Sequence, residues 1–169
     1  DGILAPGLAA LHRAVADLGE VYVVAPASTQ SAMAHAITVK APMSVRRVRV
    51  DDQFDGWVVD GTPADCVKLA MIELLPQRPD FVLSGINAGA NTGVNVLYSG
   101  TVAGAAEGAF FGAAALAFSL ELTDQIDFRI GERVAREVFR SFAASRPAPG
   151  TCLNVNIPAL HGHLPRGVR

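Results

Sequence analysis

Apolar positions along the chain switch repeatedly between a helical and a strand-like spacing. Leu8, Leu11, Val15 and Leu18 share one stripe behind Pro6 and ahead of Gly19, which predicts an amphipathic helix. The apolar run VYVVAP (21–26) predicts a short buried strand. After the polar loop ASTQSAMAHA, alternation in VRRVRV (45–50), the turn-forming DDQFDG and the apolar WVVD (57–60) predict a half-exposed β-hairpin insert. In GTPADCVKLAMIELL a helix start is marked three times over: Thr62 as cap, Pro63 at the first helical position and Asp65 at the third as a capping carboxylate. DFVLSG (80–85) and AALAFSL (114–120) read as buried strands on either side of a small-residue helix, TVAGAAEGAFFG. Over 125–145, Ile126, Ile130, Val134, Val138, Phe139 and Phe142 line one face, predicting a surface helix that leads to a strand at CLNVNIP.

Strands and helices that alternate in this way predict an α/β fold, a mostly parallel sheet with helices on both faces, built as one domain over residues 1–169. Right-handed crossovers would place every loop that follows a strand on one edge, where open α/β sheets bind ligands. Asp1, the loop holding Ser31 and the loop holding Asn87 should therefore converge.

The run from Phe81 to Ala106 contains no charged side chain yet is rich in Asn, Gly, Ser and Thr. Gly85, Gly89 and Gly93 recur every four residues, as do Asn87, Asn91 and Asn95. A helix is rejected here, because Gly costs about 1 kcal/mol per helical position and Asn is also poor there. Both residues suit a loop with left-handed backbone and exposed N–H groups, able to offer amide oxygens to a cation and N–H donors to an anion. YSGT (98–101) then precedes a helix, so Ser99, Gly100 and Thr101 stand at a positive dipole end that suits phosphate; for Ser99 and Thr101, simple capping is an equal alternative. Gly100, Gly104, Gly108 and Gly112 read as a bare stripe for close helix–sheet packing.

Composition narrows the function classes. The chain has 169 residues, a formal charge of −2 and scattered Arg and Lys, which leaves no electrostatic footprint for duplex nucleic acid or a membrane surface. Cys66 and Cys152, far apart, suggest neither a disulfide framework nor a zinc module, and a cytoplasmic location is expected. The chain opens on DGILAPG without an initiator Met and closes on HLPRGVR, so it reads as the interior of a longer protein. Several features are set aside. DDQFDG is a turn and not a calcium loop, since Thr62 stands where a bidentate Glu is required. His161 and His163 read as a solvated terminal segment, His12 and His35 lack an identifiable partner, and Glu107 is assigned no chemistry. No P-loop or G-x-G-x-x-G pattern occurs. Asp1, Ser31 and Asn87 together form an all-oxygen donor set of the kind hard divalent cations prefer.

DGILAPG, VVAPASTQSAMAHAIT, DGTPADCVKLA, PDFVLSGINAGANTGVNVLYSGTV, EGAFFG and LNVNIP, in that order, resemble the SurE family of metal-dependent nucleoside monophosphate phosphatases. The resemblance spans about residues 1–158. It implies a Rossmann-like core, one divalent ion (Mg²⁺ or Mn²⁺) per subunit, and hydrolysis of nucleoside 5′- and 3′-monophosphates, with short polyphosphate as a further substrate. It also implies a homodimer or homotetramer in the full-length protein. Asp1 matches the second Asp of the family's N-D-D-G motif, and Ser31 and Asn87 match its other ligands; Asp1 is also the candidate catalytic residue. Asn91, Ser99, Gly100 and Thr101 fall on the phosphate side. The first Asp of the pair and the strand before it are absent, so the sheet should lack a central strand. Ala32 stands where Gly is usual. A non-catalytic nucleotide- or phosphate-binding module is the alternative if the upstream Asp is missing from the full-length protein.

Overall fold

The computed structural model describes residues 2–30, 33–159 and 167. Helix α1 (Pro6–Val15) is followed by β1 (Val23–Pro26), then the hairpin of β2 (Val45–Val50) and β3 (Phe54–Val59). Helix α2 (Pro63–Leu69), extended by a π-helical turn (Ala70–Leu74), leads to β4 (Phe81–Ala88). The short α3 (Asn95–Tyr98), α4 (Gly100–Phe110), β5 (Ala114–Leu120), α5 (Phe128–Ala144) and β6 (Cys152–Ile157) complete the order.

The strands form two ladders, β1-β3-β2 and β4-β5-β6. β4, β5 and β6 are all parallel, as their near-continuous apolar sequences predict. The hairpin turns at residues 51–53 as expected. Its second strand also pairs parallel with β1, Val23 opposite Gly56 through Pro26 opposite Val59, so the hairpin is built into the first ladder. Among the described residues no strand joins the two ladders. Instead α1 spans them: Leu11 and Val15 pack with Ile86, Leu116 and Phe118, while Leu8 and Ala9 pack against Ile3, Val23 and Phe54.

The core around β5 is fully closed to solvent at Leu116 and Phe118, and burying each side chain contributes about 1.5–3 kcal/mol. On the other side, α4 approaches through its small residues. A Cβ on Gly108 would lie 2.6 Å from Val82 Cβ, and one on Gly104 would lie 3.1 Å from Ser84 Oγ. The bare stripe thus exists at these two positions. Gly112 does not extend it, since it lies past the helix end at φ +90 with nothing within 4 Å of an added Cβ. Helix α5 starts at Phe128 because Asp127 caps it, accepting from Arg129 N at 3.0 Å. It is tied to α1 by Arg136, which donates to Asp17 and to Ala14 O.

Candidate functional site

Glycines 108 and 104 also fix how α4 lies along β4. They meet Val82 and Ser84 in turn, so the helix runs antiparallel to the strand. Four helical residues rise about 6 Å and two strand residues about 6.6 Å. The two rises keep helix and strand in step from Gly108 to Gly104; beyond that, β4 is irregular between Ser84 and Asn87, and Gly100 meets Pro63 and Gln30 instead. The start of the helix and the carboxyl end of the strand share one edge.

Asn87 lies in the last residues of β4 and not in a loop, because the strand continues past an irregularity between Ser84 and Asn87. Gly85 makes that irregularity possible: at φ +134 a side chain would be strained, and its Cβ would run into Phe118 O. Asn87 Nδ2 donates to Gly89 O at 2.7 Å. With the nitrogen committed, Oδ1 is the end of the amide left for a cation, which is the fit a hard-metal site requires.

Asp1 and Ser31 lie outside the described residues, as do His161 and His163. Their neighbours are described. Ile3 N donates to Pro26 O, and a Cβ on Gly2 would touch Ser28 and Thr29, so the residues after Asp1 sit against the carboxyl end of β1. On either side of Ser31, Gln30 O lies 3.5 Å from a Cβ placed on Gly100, and Ala34 N donates to Tyr98 O at 3.0 Å. The segment carrying Ser31 is therefore flanked by contacts with the start of α4.

Ser99 caps α4, its hydroxyl accepting from Val102 N at 3.2 Å. Gly100 and Thr101 are buried behind it. Asn91 is buried too, and its bonds are structural. Its N–H donates to Asn156 Oδ1 (2.7 Å), its Nδ2 to Ser119 Oγ (2.8 Å), and its carbonyl accepts from Asn154 and Asn156. This network fastens the loop after β4 onto β5 and β6. Gly89 and Gly93 take the left-handed backbone expected of them.

Three residues do more than their sequence suggests. Asp65 completes the capping box at α2, bonding Thr62 N, and also accepts from Thr38 N and Thr38 Oγ at 2.9 and 2.7 Å. Burial pushes its carboxyl up, but the bonds from Thr62 and Thr38 outweigh burial and hold it below the ordinary carboxylate value. Glu107 and His35 are partners, with Nε2 2.7 Å from Oε2. No local signal links them, because 72 positions separate them in the chain.

His12 packs against Phe54 with the rings tilted by 38°, and burial lowers its pKa. Cys66 is buried and its thiol is pushed up to about 12. Among the described residues no three His, Cys, Asp or Glu side chains cluster as a metal site, and no helix is long and apolar enough to cross a membrane. A hollow of about 500 Å³ between Arg78, Phe81, Phe111 and Arg146 lies at the opposite edge. There α4 and α5 end, and arginines suit exposed helix carbonyls.

A family model described as "Survival protein SurE" matches residues 1–169. Along its whole length the chain is 44% identical to the 5′-nucleotidase SurE of Syntrophobacter fumaroxidans and covers 68% of it. It is 56% identical over 91 residues to the 5′-nucleotidase SurE of Desulforudis audaxviator, a match taking in 53% of this chain and 35% of that one. The crystal structure of the SurE protein from Aquifex aeolicus superposes with a TM-score of 0.82 at 41% identity, covering 95% of this chain and 64% of that one. These matches take in between about a third and two thirds of the relatives' own length. With every residue inside the family match and an end-to-end relative at this identity, the chain belongs to the SurE family.

Proposed function

We propose that the full-length protein is a metal-dependent phosphatase that hydrolyses nucleoside 5′- and 3′-monophosphates to nucleoside and phosphate, with short polyphosphate as a second substrate. Asp1, Ser31 and Asn87 hold one divalent ion, Mg²⁺ or Mn²⁺. When bound, that ion supplies a Lewis acid for a phosphoryl oxygen. Asn87 contributes through Oδ1, its amide oriented by the bond to Gly89. Ser99, Gly100 and Thr101 receive the phosphate at the start of α4, where backbone N–H groups and the helix dipole favour negative charge. Asn91 shapes the loop beside it. The exposed side chains of Leu97 and Tyr98, directly before Ser99, offer apolar surface to the nucleoside. Assembly into a homodimer or homotetramer in the cytoplasm belongs to the same reading.

What supports this proposal is that the flanks of Ser31 touch the start of α4, and that α4 runs antiparallel to β4, which carries Asn87 near its carboxyl end. The test is phosphate release from AMP and GMP by full-length protein with Mn²⁺ or Mg²⁺. Activity should vanish with EDTA and collapse in Asn87→Ala. Activity indifferent to both would overturn the proposal, and nucleotide bound but never hydrolysed would favour a non-catalytic binding module.

A further inference from the structure

We propose that Glu107 is a positioning residue which, through His35, holds the loop that presents Ser31 to the metal; this rests on the metal site proposed above. Glu107 stands in the middle of α4 and is only 7% exposed. Carboxylates are rarely buried unless paired, and here the pair is His35, whose ring N–H reaches Oε2 at 2.7 Å. The imidazole also lies flat on Phe110, one turn further along α4, at 5.5 Å and 6° between planes. Two contacts therefore fix both the place and the tilt of a ring that is itself one third exposed.

The loop needs such fasteners. Ala34 sits at φ +51, a backbone conformation that alanine seldom adopts without support. On one side Thr62 Oγ donates to Ala36 O and Asp65 takes both donors of Thr38, tying the loop to α2. On the other, the bond from Ala34 N to Tyr98 O, the His35–Glu107 pair and the stack of His35 on Phe110 tie it to the α3–α4 segment. Ser31 lies four residues before His35. Helix propensity alone gives no reason for a carboxylate here, since α4 is otherwise built of Gly, Ala and other uncharged residues and Ala is the better helix former. Breaking the pair loosens the loop on its α4 side, while its bonds to Thr62, Asp65 and Tyr98 remain. Metal binding must then order that loop, so affinity falls while chemistry at saturating metal survives.

The experiment follows Mn²⁺ binding to full-length protein from the electron paramagnetic resonance signal of the free ion, a readout independent of turnover. Glu107→Ala and His35→Ala should each weaken Mn²⁺ binding about tenfold, and the double variant should be no weaker than the worse single one. Glu107→Gln, whose amide oxygen still accepts from the ring, should keep most of the affinity. At saturating Mn²⁺, kcat should stay within about twofold of the parent. If Glu107→Ala fails to fold, His35→Ala, which leaves α4 untouched, decides the question alone. Unchanged Mn²⁺ binding in His35→Ala, alongside its loss in Asn87→Ala, overturns the inference and leaves the metal site standing. Unchanged binding in Asn87→Ala overturns the metal site and the inference together.

Discussion

Two segments reach the carboxyl edge of this molecule, and they are fastened by opposite chemistry. The loop after β4 is held by uncharged amides: Asn91 is clamped between Ser119 on β5 and Asn154 and Asn156 on β6. The loop after β1 is held by two carboxylates on flanking helices, Asp65 at the start of α2 and Glu107 within α4. Amides can donate and accept at once, so an asparagine cluster can satisfy backbone and side chains together without burying charge. A carboxylate only accepts, but it draws several donors to one point and binds each more strongly. The first loop is thus an extension of the sheet, whereas the second is an attachment to it.

The sharpest separation of the two concerns activity. Asn87→Ala removes a proposed ligand and the bond to Gly89 without touching either set of fasteners. Turnover of AMP should fall by at least about a hundredfold. The unfolding midpoint of the metal-free protein should hardly move. A large loss of stability in EDTA would instead make Asn87 part of the loop's scaffold and break the distinction between ligand and fastener.

Stability effects come next, and the carboxylate side should give the larger one. Asp65→Ala removes the α2 cap and strands the Thr38 N–H and hydroxyl, which should cost about 3 kcal/mol by urea denaturation. Asn91→Ala leaves its own backbone bonds in place and orphans only Ser119 Oγ, which is 0% exposed; it should cost about 2 kcal/mol. Equal or reversed losses would show that the β4 loop depends on its side-chain amide more than on its backbone, and the contrast drawn above would fail.

How much of this was legible in the sequence follows from the distance between partners. The α2 cap was legible because Thr62, Pro63 and Asp65 act on one another within a single turn. The second task of Asp65 was not, because Thr38 lies 27 positions earlier, in a loop without a periodic signature. Asn91 reads as a ligand for the same reason, its partner Asn156 being 65 positions away. The hairpin showed in its alternation and turn, but nothing local indicated that β3 would also lie against β1. Gly85 was rightly read as a left-handed position, yet the strand resumes beyond it and carries Asn87 on its end. The oxygen set of Asp1, Ser31 and Asn87 came from topology and resemblance, which bring whole loops to an edge and leave the bonds that fasten them unread.

The smallest expected effect, and the most direct probe of the contrast, is the response to acid. Asp65 has a folded-state pKa below its unfolded value. Its stabilising contribution is therefore complete above the unfolded pKa, near 4, and is lost as pH falls through the folded value. Asparagine does not titrate. The stability difference between the parent protein and Asp65→Asn, which keeps the shape but not the charge, should be flat from about pH 7 to 5 and should shrink below about pH 4. The difference between the parent and Asn91→Ala should stay constant over the same range. Urea denaturation at each pH measures both. A parallel decline in the two differences would mean that acid loosens the sheet as a whole. A decline confined to the Asp65 series would show that the β1 loop alone hangs on ionised side chains.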